Sequence, residues 1–513
     1  MARRTYDMTD RMLLVGDNLD LLPGLTDDSV DLCYIDPPFN SDRDYSMIWK
    51  LESGDAPPAL TESFTDTWHW NTKTAALYRE TVSQLAMNGD HMALAMMEGF
   101  KTAFTREDNT ANPLLAYLTH MAARFIELRR VVKPTGQVFV HVDPTAGHYI
   151  KALMDGIFGP KRFLDEIIWH YQTSSGAPKK WLHHNHDLIF RYANGPIEGI
   201  TWHHPKEPWP ESTLKKWQKD EDGRIYRYQK KFKKRYYIDP EGKKADDVWN
   251  ITLASRDSER MGYPTQKPLT LLEKIIQAAT NEGDVVLDCF MGGGTTLLAA
   301  EKLKRKWIGM DLTAVALNMT RRRLTQSFPN LDVSQEVQTN GWPLDLPTAR
   351  EFVETAGEYN FQVWLCDKLD AAPNKKGPDG GIDGRLYFFE NGSEELRLGI
   401  LAVTRSKVSL GRMKDLITTV EQTGAAFGVY VSLEGWSSQA EQAAAAAEDY
   451  VTWSGEKYPK IQLMTVEDVL DGKLPSYPYY NNVTYRHVKG FKAPPKHTPP
   501  SAPSKDQLRL SVD

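Results

Sequence analysis

Short apolar runs recur along the first two thirds of the chain, and each gives way to a turn or to a helical period. Residues 12–15 form a predicted strand closed by Gly16-Asp17, followed by a helical stretch over 18–25. Residues 30–35 are almost all apolar and stop at Asp36-Pro37-Pro38, where proline must take the chain out of the sheet. Residues 114–132 have a helical period; Pro134-Thr135-Gly136 breaks it, and 137–142 is the next strand. A helix over 149–157 and strands over 166–170 and 187–192 follow. A strand–helix–strand series over 285–288, 295–303 and 306–310 completes the pattern. Short apolar strands alternating with helices predict an α/β fold, a doubly wound Rossmann-like parallel sheet buried on both faces.

Several stretches depart from this rhythm. Residues 46–112 read as a long polar, helical insertion, and 195–260 combine basic and aromatic residues. A composition change over 340–347 separates a first unit, 1–340, from a second and smaller α/β unit, 348–478. Five prolines between Pro494 and Pro503 predict a disordered tail over 490–513. No internal repeat is present.

With 513 residues, 41% hydrophobic and 25% charged, the chain reads as a soluble protein of two or three domains. Cys33, Cys289 and Cys366 are too scattered for a zinc knuckle or a disulfide framework, so no metal is expected and reduced thiols point to the cytoplasm. The start lacks the apolar stretch of a signal peptide, and no run approaches the roughly 18 apolar residues of a membrane span. The net charge of −6 speaks against a uniformly basic surface. Residues 214–237 are the exception: Lys215, Lys216, Lys219, Arg224, Arg227, Lys230, Lys231, Lys233, Lys234 and Arg235 face only Asp220, Glu221 and Asp222. Such a cluster can contact phosphates or can be an ordinary solvated face. The interleaved Tyr226, Tyr228, Phe232, Tyr236 and Tyr237 can equally form the inner face of a hairpin.

Candidate chemistry lies in two loops. Asp288-Cys289-Phe290-Met291-Gly292-Gly293-Gly294-Thr295 joins a strand to a helix. Glycines there allow close approach of a ligand, and a helix start offers unpaired N–H groups. Asp311 ends the next strand, about 20 residues on, where a carboxylate can accept from ribose hydroxyls. A negative Asp288 disfavours a phosphate and favours a cofactor carrying both an ammonium and a ribose, which S-adenosylmethionine does. The alternative is a plain strand-turn-helix with two incidental acids. The second loop, Asp36-Pro37-Pro38-Phe39, precedes the first, the reverse of the usual order in a nucleotide-binding sheet.

The flanks of these loops carry a family pattern. Gly16-Asp17-Asn18-Leu19-Asp20, Asp28-Ser29-Val30-Asp31-Leu32, Ile35-Asp36-Pro37-Pro38-Phe39-Asn40 and Phe64-Thr65-Asp66-Thr67-Trp68 open it. Val138-Phe139-Val140-His141-Val142-Asp143, Asn185-His186-Asp187 and Tyr263-Pro264-Thr265-Gln266-Lys267-Pro268 continue it. Over 12–324 the chain resembles the beta-class DNA amino-methyltransferases. The resemblance implies a circularly permuted motif order, a target-recognition region over 195–260, S-adenosylmethionine as cofactor, and double-stranded DNA whose target base is flipped out. Asp36, Pro37, Pro38 and Phe39 are then catalytic. Asp288, Phe290, Gly292, Gly294, Thr295 and Asp311 bind the cofactor. Asp17 would meet its adenine ring, and Lys267 and Pro268 would flank its methionine end, with surface or packing roles open for these three. Asn40, Lys230, Lys231, Lys233, Lys234 and Arg235 would contact DNA. His141 and Asp143 fit a catalytic or a structural role. In this class Asp-Pro-Pro with an aromatic usually accompanies adenine, and Ser-Pro-Pro-Tyr accompanies cytosine. A separate restriction endonuclease and a second copy of the chain are further candidate partners in a bacterial or phage-type, nucleoid-associated restriction-modification setting.

The segment Gly377-Pro378-Asp379-Gly380-Gly381-Ile382-Asp383-Gly384 resembles the Mrr-like restriction endonuclease domain, in which an Asp and a Glu/Gln-x-Lys triplet hold magnesium. Asp383 matches the Asp. Ala402-Val403-Thr404 stands where the triplet should, and Lys407 comes three residues late, on the opposite face if the strand continues. Gln362 stands where some relatives carry a glutamate. The expectation is an inactive nuclease relic used for DNA contact or dimerisation. A bifunctional enzyme that also cuts and a non-catalytic DNA-binding protein are the competing readings.

Overall fold

The computed structural model describes residues 6–38, 68–105, 113–143, 145–172, 180, 182, 184–253, 266–343, 345–369, 371–374, 381–390 and 396–478. In chain order, β1 (Arg11–Val15), α1 (Asn18–Leu21) and β2 (Val30–Ile35) precede the helices α2 (Thr72–Met87), α3 (His91–Phe104) and α4 (Pro113–Val131). Then come β3 (Val132–Val142), α5 (Gly147–Phe158), β4 (Phe163–His170) and β5 (His186–Ala193). A β-rich excursion holds β6 (Lys206–Glu207), α6 (Glu211–Leu214), β7 (Gln218–Lys219), β8 (Ile225–Gln229), β9 (Lys234–Tyr237) and β10 (Lys243–Lys244). The sheet resumes with β11 (Val248–Asn250), α7 (Leu269–Ala279), β12 (Val285–Asp288), α8 (Thr295–Lys302), β13 (Lys306–Asp311), α9 (Ala314–Ser327), α10 (Val333–Glu336) and β14 (Gln338–Asn340).

Nine of these strands make one sheet in the order β11-β4-β5-β3-β2-β12-β13-β1-β14. It is mixed, which corrects the all-parallel expectation: β5 runs against both β3 and β4. A strand buried on both faces reads as a continuous apolar run whichever way it points, so periodicity could not reveal the reversal. The consequence is geometric. The carboxyl ends of β1, β2, β3, β4, β11, β12 and β13 and the amino end of β5 all lie along one edge of the sheet.

Alternate residues feed opposite cores. Leu13, Leu32, Phe139, Val286 and Trp307 pack against α7, α8 and α9. Met12, Leu14, Cys33, Val138, Val140, Leu287 and Ile308 pack against α3, α4 and α5. The expected polar insertion is thus partly core: Tyr78, Leu85, Ala93 and Met97 are buried in the second cluster. Gly156 of α5 makes this possible, because a Cβ there would stand 2.7 Å from the Ala93 Cα. The start of β3 also differs from expectation. It follows α4 directly, and Pro134-Thr135-Gly136 sits within it as an irregularity that shifts the pairing with β2 between Val30 and Leu32.

The second unit contains α11 (Leu346–Thr355), α12 (Gly357–Lys368), β15 (Ala372–Pro373), β16 (Gly384–Phe389), β17 (Leu396–Thr404), α13 (Leu410–Thr423), β18 (Phe427–Ser432), α14 (Ser438–Ala445), β19 (Asp449–Val451), β20 (Lys457–Pro459), β21 (Ile461–Thr465) and α15 (Val466–Leu470). Its five-stranded sheet has the order β15-β16-β17-β18-β21. Trp342, Phe352 and Trp364 continue the first core cluster into it. The expected tail over 490–513 lies outside the described residues. Among the described residues no helix is long and apolar enough to cross a membrane.

Candidate active site at the carboxyl edge of the sheet

β2 pairs with β12 through Leu32–Val286 and Cys33–Leu287, so the Asp36 and Asp288 loops leave adjacent strands at the same edge. Two stretches far apart in sequence are neighbours here for that reason. Open sheets bind ligands at such carboxyl ends.

Asp36 follows β2 directly. Its Oδ2 accepts from Lys267 Nζ at 2.5 Å, while Oδ1 is buried and has no hydrogen-bond partner among the described residues. Lys267 is buried and immediately precedes Pro268, the N-cap residue of α7. This places Lys267 on the Asp36 carboxylate, a contact that the sequence did not reveal. Trp68 Nε1 donates to the Pro38 carbonyl at 3.3 Å. Phe39 and Asn40 lie outside the described residues.

The glycine loop is braced by its two acids. Asp288 Oδ1 accepts from Phe290 N at 3.0 Å and Oδ2 from Thr296 Oγ1 at 2.6 Å. Burial pushes the Asp288 carboxyl up to about 7, against these hydrogen bonds and with the help of the Asp36 charge. Asp311 Oδ2 accepts from Gly292 N at 3.0 Å, and Oδ1 accepts from Thr313 N and Oγ1, both at 2.9 Å. Burial raises the Asp311 carboxyl as well. Gly294 caps α8 at φ 74°, and a Cβ there would meet Thr320 Oγ1 at 2.4 Å, so conformation and packing both require glycine. Thr295 Oγ1 accepts from Arg323 Nη1 at 3.0 Å, on the α9 side.

Asp17 caps α1 by accepting from Leu19 N at 3.0 Å and also accepts from Arg124 Nη2 at 3.0 Å. Arg124 is the centre of this side of the site. Its Nε donates to Asn18 Oδ1 at 2.6 Å and its Nη1 to the His120 carbonyl at 2.9 Å. Its guanidinium lies 5.5 Å from the ring centres of both Trp68 and Phe290. Asn18 Nδ2 reaches the Cys289 carbonyl at 2.6 Å. One buried cation therefore joins Asp17, the Trp68 that holds Pro38, and the Phe290 of the glycine loop. Sequence reasoning missed it, although an arginine among Met121, Phe125 and Leu128 on the buried face of α4 was a signal. Burial, and then the Arg124 charge, push His120 down to about 4.

His141 belongs to a buried chain of hydrogen bonds. Tyr34 Oη lies 3.0 Å from His141 Nδ1, His141 Nε2 lies 3.0 Å from Asp187 Oδ2, and Tyr171 Oη donates to Asp187 Oδ1 at 3.1 Å. Burial would raise the Asp187 carboxyl, but the His141 contact, the Lys267 charge and Tyr171 hold it below its usual range. Asp143 instead accepts from Thr145 N and Oγ1 and from Ala146 N in the turn before α5.

In the basic segment, β7, β8 and β9 form a small antiparallel sheet. Lys230 and Lys231 lie in its turn, Lys233 is left-handed at φ 48°, and Lys234 and Arg235 open β9. Tyr226 is buried, as a hairpin's inner face requires, but Tyr228, Phe232, Tyr236 and Tyr237 are exposed beside the cations. The inner-face alternative therefore holds for Tyr226 alone.

In the second unit Asp383 Oδ2 accepts from Val403 N at 2.6 Å. β17 ends at Thr404, so Lys407 lies in the loop beyond it and the opposite-face argument does not apply. Arg412 Nη1 donates to Thr404 Oγ1 at 2.8 Å, at the position expected for the triplet lysine. Gln362 is half-buried on α12. Among the described residues no group of three or more His, Cys, Asp or Glu is placed to hold a metal ion.

Comparison with known proteins identifies the family. A DNA methylase family model of the N6/N4 class matches residues 30–322, and an Mrr-type restriction endonuclease model matches residues 359–461. The type II methyltransferase M.EcaI of Enterobacter cloacae is 25% identical over 321 residues, 51% of this chain and 69% of that protein. The type II methyltransferase M1.MboII of Moraxella bovis is 30% identical over 171 residues, 32% of this chain and 63% of that protein. The matched stretches thus span about two thirds of these relatives. The PvuII cytosine-N4-specific DNA methyltransferase structure is 15% identical, covering 64% of this chain and 88% of that one, with a TM-score of 0.35. Since the methylase model accounts for more than half of the sequence, the chain belongs to the N6/N4 family of S-adenosylmethionine-dependent DNA methylases.

Proposed function

We propose that the chain is a site-specific methyltransferase acting on N6 of an adenine flipped out of duplex DNA. The observation that carries this reading is the half-used carboxylate of Asp36. One oxygen is tied to Lys267, and the other is buried without a partner among the described residues, beside the glycine loop on the next strand.

The residues fit the cofactor. A helix start with two left-handed glycines offers close backbone approach, and the acids at the ends of β12 and β13 retain lone pairs beyond those that brace the loop. Phe290, Gly292, Gly294, Asp288 and Asp311 would hold it, with Asp17 and Thr295 behind them. S-adenosylmethionine, when bound, supplies a methyl group made electrophilic by its sulfonium.

The chain's task is to present a nucleophile to it. An exocyclic amino nitrogen is a poor nucleophile because its lone pair is delocalised into the ring. Acceptors aimed at its protons favour a pyramidal nitrogen and expose that lone pair. Asp36 Oδ1 is one such acceptor and the Pro37 carbonyl a second, with the two prolines and the Trp68 bond to Pro38 stiffening the loop. Positioning then supplies much of the rate. Phe39 is assigned the stacking face for the base by its place in the motif. A carboxylate at position 36, rather than a serine, favours adenine. The hairpin cations Lys230, Lys231, Lys233, Lys234 and Arg235, with Asn40 at the catalytic loop, are assigned to DNA, where phosphate contacts give affinity and exposed aromatics can stack on bases. Residues 1–340 form the transferase unit and 348–478 a nuclease-fold unit without cutting activity.

The test is modification-sensitive sequencing of DNA from cells that express the chain, beside an Asp36→Ala control. The reading predicts N6-methyladenine at one sequence context, absent in the control. N4-methylcytosine, or methylation that survives Asp36→Ala, would overturn it.

A further inference from the structure

The family pattern assigns Lys267 to the methionine end of the cofactor, but the geometry gives it another partner. Lys267 is 9% exposed and its Nζ lies 2.5 Å from Asp36 Oδ2, across 231 residues of sequence. Among the described residues the Asp36 charge also acts on Asp288 at the end of β12, whose carboxyl it helps to raise, and on the buried, neutral phenol of Tyr34 on β2, which is hydrogen-bonded with His141 of β3. The Lys267 charge also reaches Asp187 at the start of β5, which is hydrogen-bonded with the same His141. A cation thus stands among the carboxyl groups of three neighbouring strand ends.

We propose that Lys267 is the positioning residue of the methyl-transfer reaction. It pins one oxygen of Asp36, so that the second faces the target amino group as a fixed acceptor. The inference rests on the reading of Asp36 as the group that receives the base. A carboxylate there must present its free oxygen in one direction. The Lys267 bond to Oδ2 stops the carboxylate from rotating, which leaves Oδ1 as the acceptor. An acceptor held in place before the reaction has no reorganisation to undergo during it.

The test uses the full chain as wild type, Lys267→Met, Lys267→Arg and Asp36→Asn, on a duplex bearing the recognition site. Calorimetry reports S-adenosylmethionine affinity, and 2-aminopurine fluorescence at the target reports the everted base. In Lys267→Met, kcat should fall roughly 100-fold with cofactor affinity within twofold of wild type. Lys267→Arg should restore much of kcat. If Lys267→Met instead weakens the cofactor tenfold or more, Lys267 serves the cofactor and the proposal is overturned. Equal losses in Lys267→Met and Lys267→Arg, with the cofactor still bound, would also overturn it. Wild-type turnover by Asp36→Asn would strike the underlying reading of Asp36, which separates that failure from a failure of Lys267.

Discussion

Arg124→Met is the substitution that most exposes how the two loops are held together. Methionine keeps much of the aliphatic volume on α4 and removes the guanidinium. Asn18 Oδ1 then loses its donor at 2.6 Å, whereas the His120 carbonyl keeps its partner within α4. A buried acceptor left unpaired costs about 1–3 kcal/mol. The Asp17 bond adds about 1 kcal/mol at most, since that carboxylate is 43% exposed and water replaces its partner. Relief of the desolvation of Arg124 itself offsets part of the sum, leaving a net loss of about 1–3 kcal/mol. The loss depends on pH with a definite sign. His120 is held neutral in the fold, down to about 4, against an ordinary value of 6.5. Between those values the unfolded chain binds more protons, so wild-type stability falls as pH drops through that window. Removing the Arg124 charge raises His120 in the fold and shrinks this acid loss. The stability gap between wild type and variant should therefore be wider at pH 7.5 than at pH 5 by about 1 kcal/mol. Urea unfolding at the two pH values reads the gap, and calorimetry on the same samples should show cofactor affinity reduced by about tenfold. A wild-type urea midpoint together with wild-type affinity would refute the role given to Arg124.

Other consequences follow from the same geometry. A cationic cofactor favours the ionised form of Asp288, whose carboxyl sits near 7, so its affinity should rise between pH 6 and pH 8; a flat calorimetric profile would contradict this. Replacing Lys231, Lys234 and Arg235 by glutamine should lower the slope of log affinity against log salt by about 2 to 3, at about 0.9 per lost phosphate contact, and an unchanged slope would remove the hairpin from the DNA interface. Supercoiled plasmid incubated with the protein, magnesium and manganese should remain uncut, because among the described residues no group of three or more His, Cys, Asp or Glu is placed to hold a metal ion; double-strand cutting abolished by Asp383→Ala would show an active nuclease.

Strand positions and the two loops were legible because apolar runs, Pro-Pro and triple glycine act locally. What the sequence hid was long-range. The direction of β5 leaves no mark on a strand buried on both faces. Lys267 and Asp36 meet only because α7 starts beside the end of β2, and nothing near either residue announces the other. Arg124 showed as a charge on an apolar helix face, but its partners come from three other segments. Lys407 was placed by counting along a strand that ends at Thr404, so the counting went past the element it relied on. Asp288 and Asp311 were found for their expected reach to a cofactor, yet in the fold they first hold the shape of the loop that would receive it.

The most direct measurement is mass spectrometry of nucleosides from a duplex incubated with purified protein and S-adenosylmethionine carrying a labelled methyl group. Asp36→Ala runs in parallel, with its cofactor binding checked by calorimetry. The account predicts label in N6-methyl-2′-deoxyadenosine for wild type and none for the variant, although both bind cofactor alike. Label on any other atom, or equal label from both proteins, would contradict it.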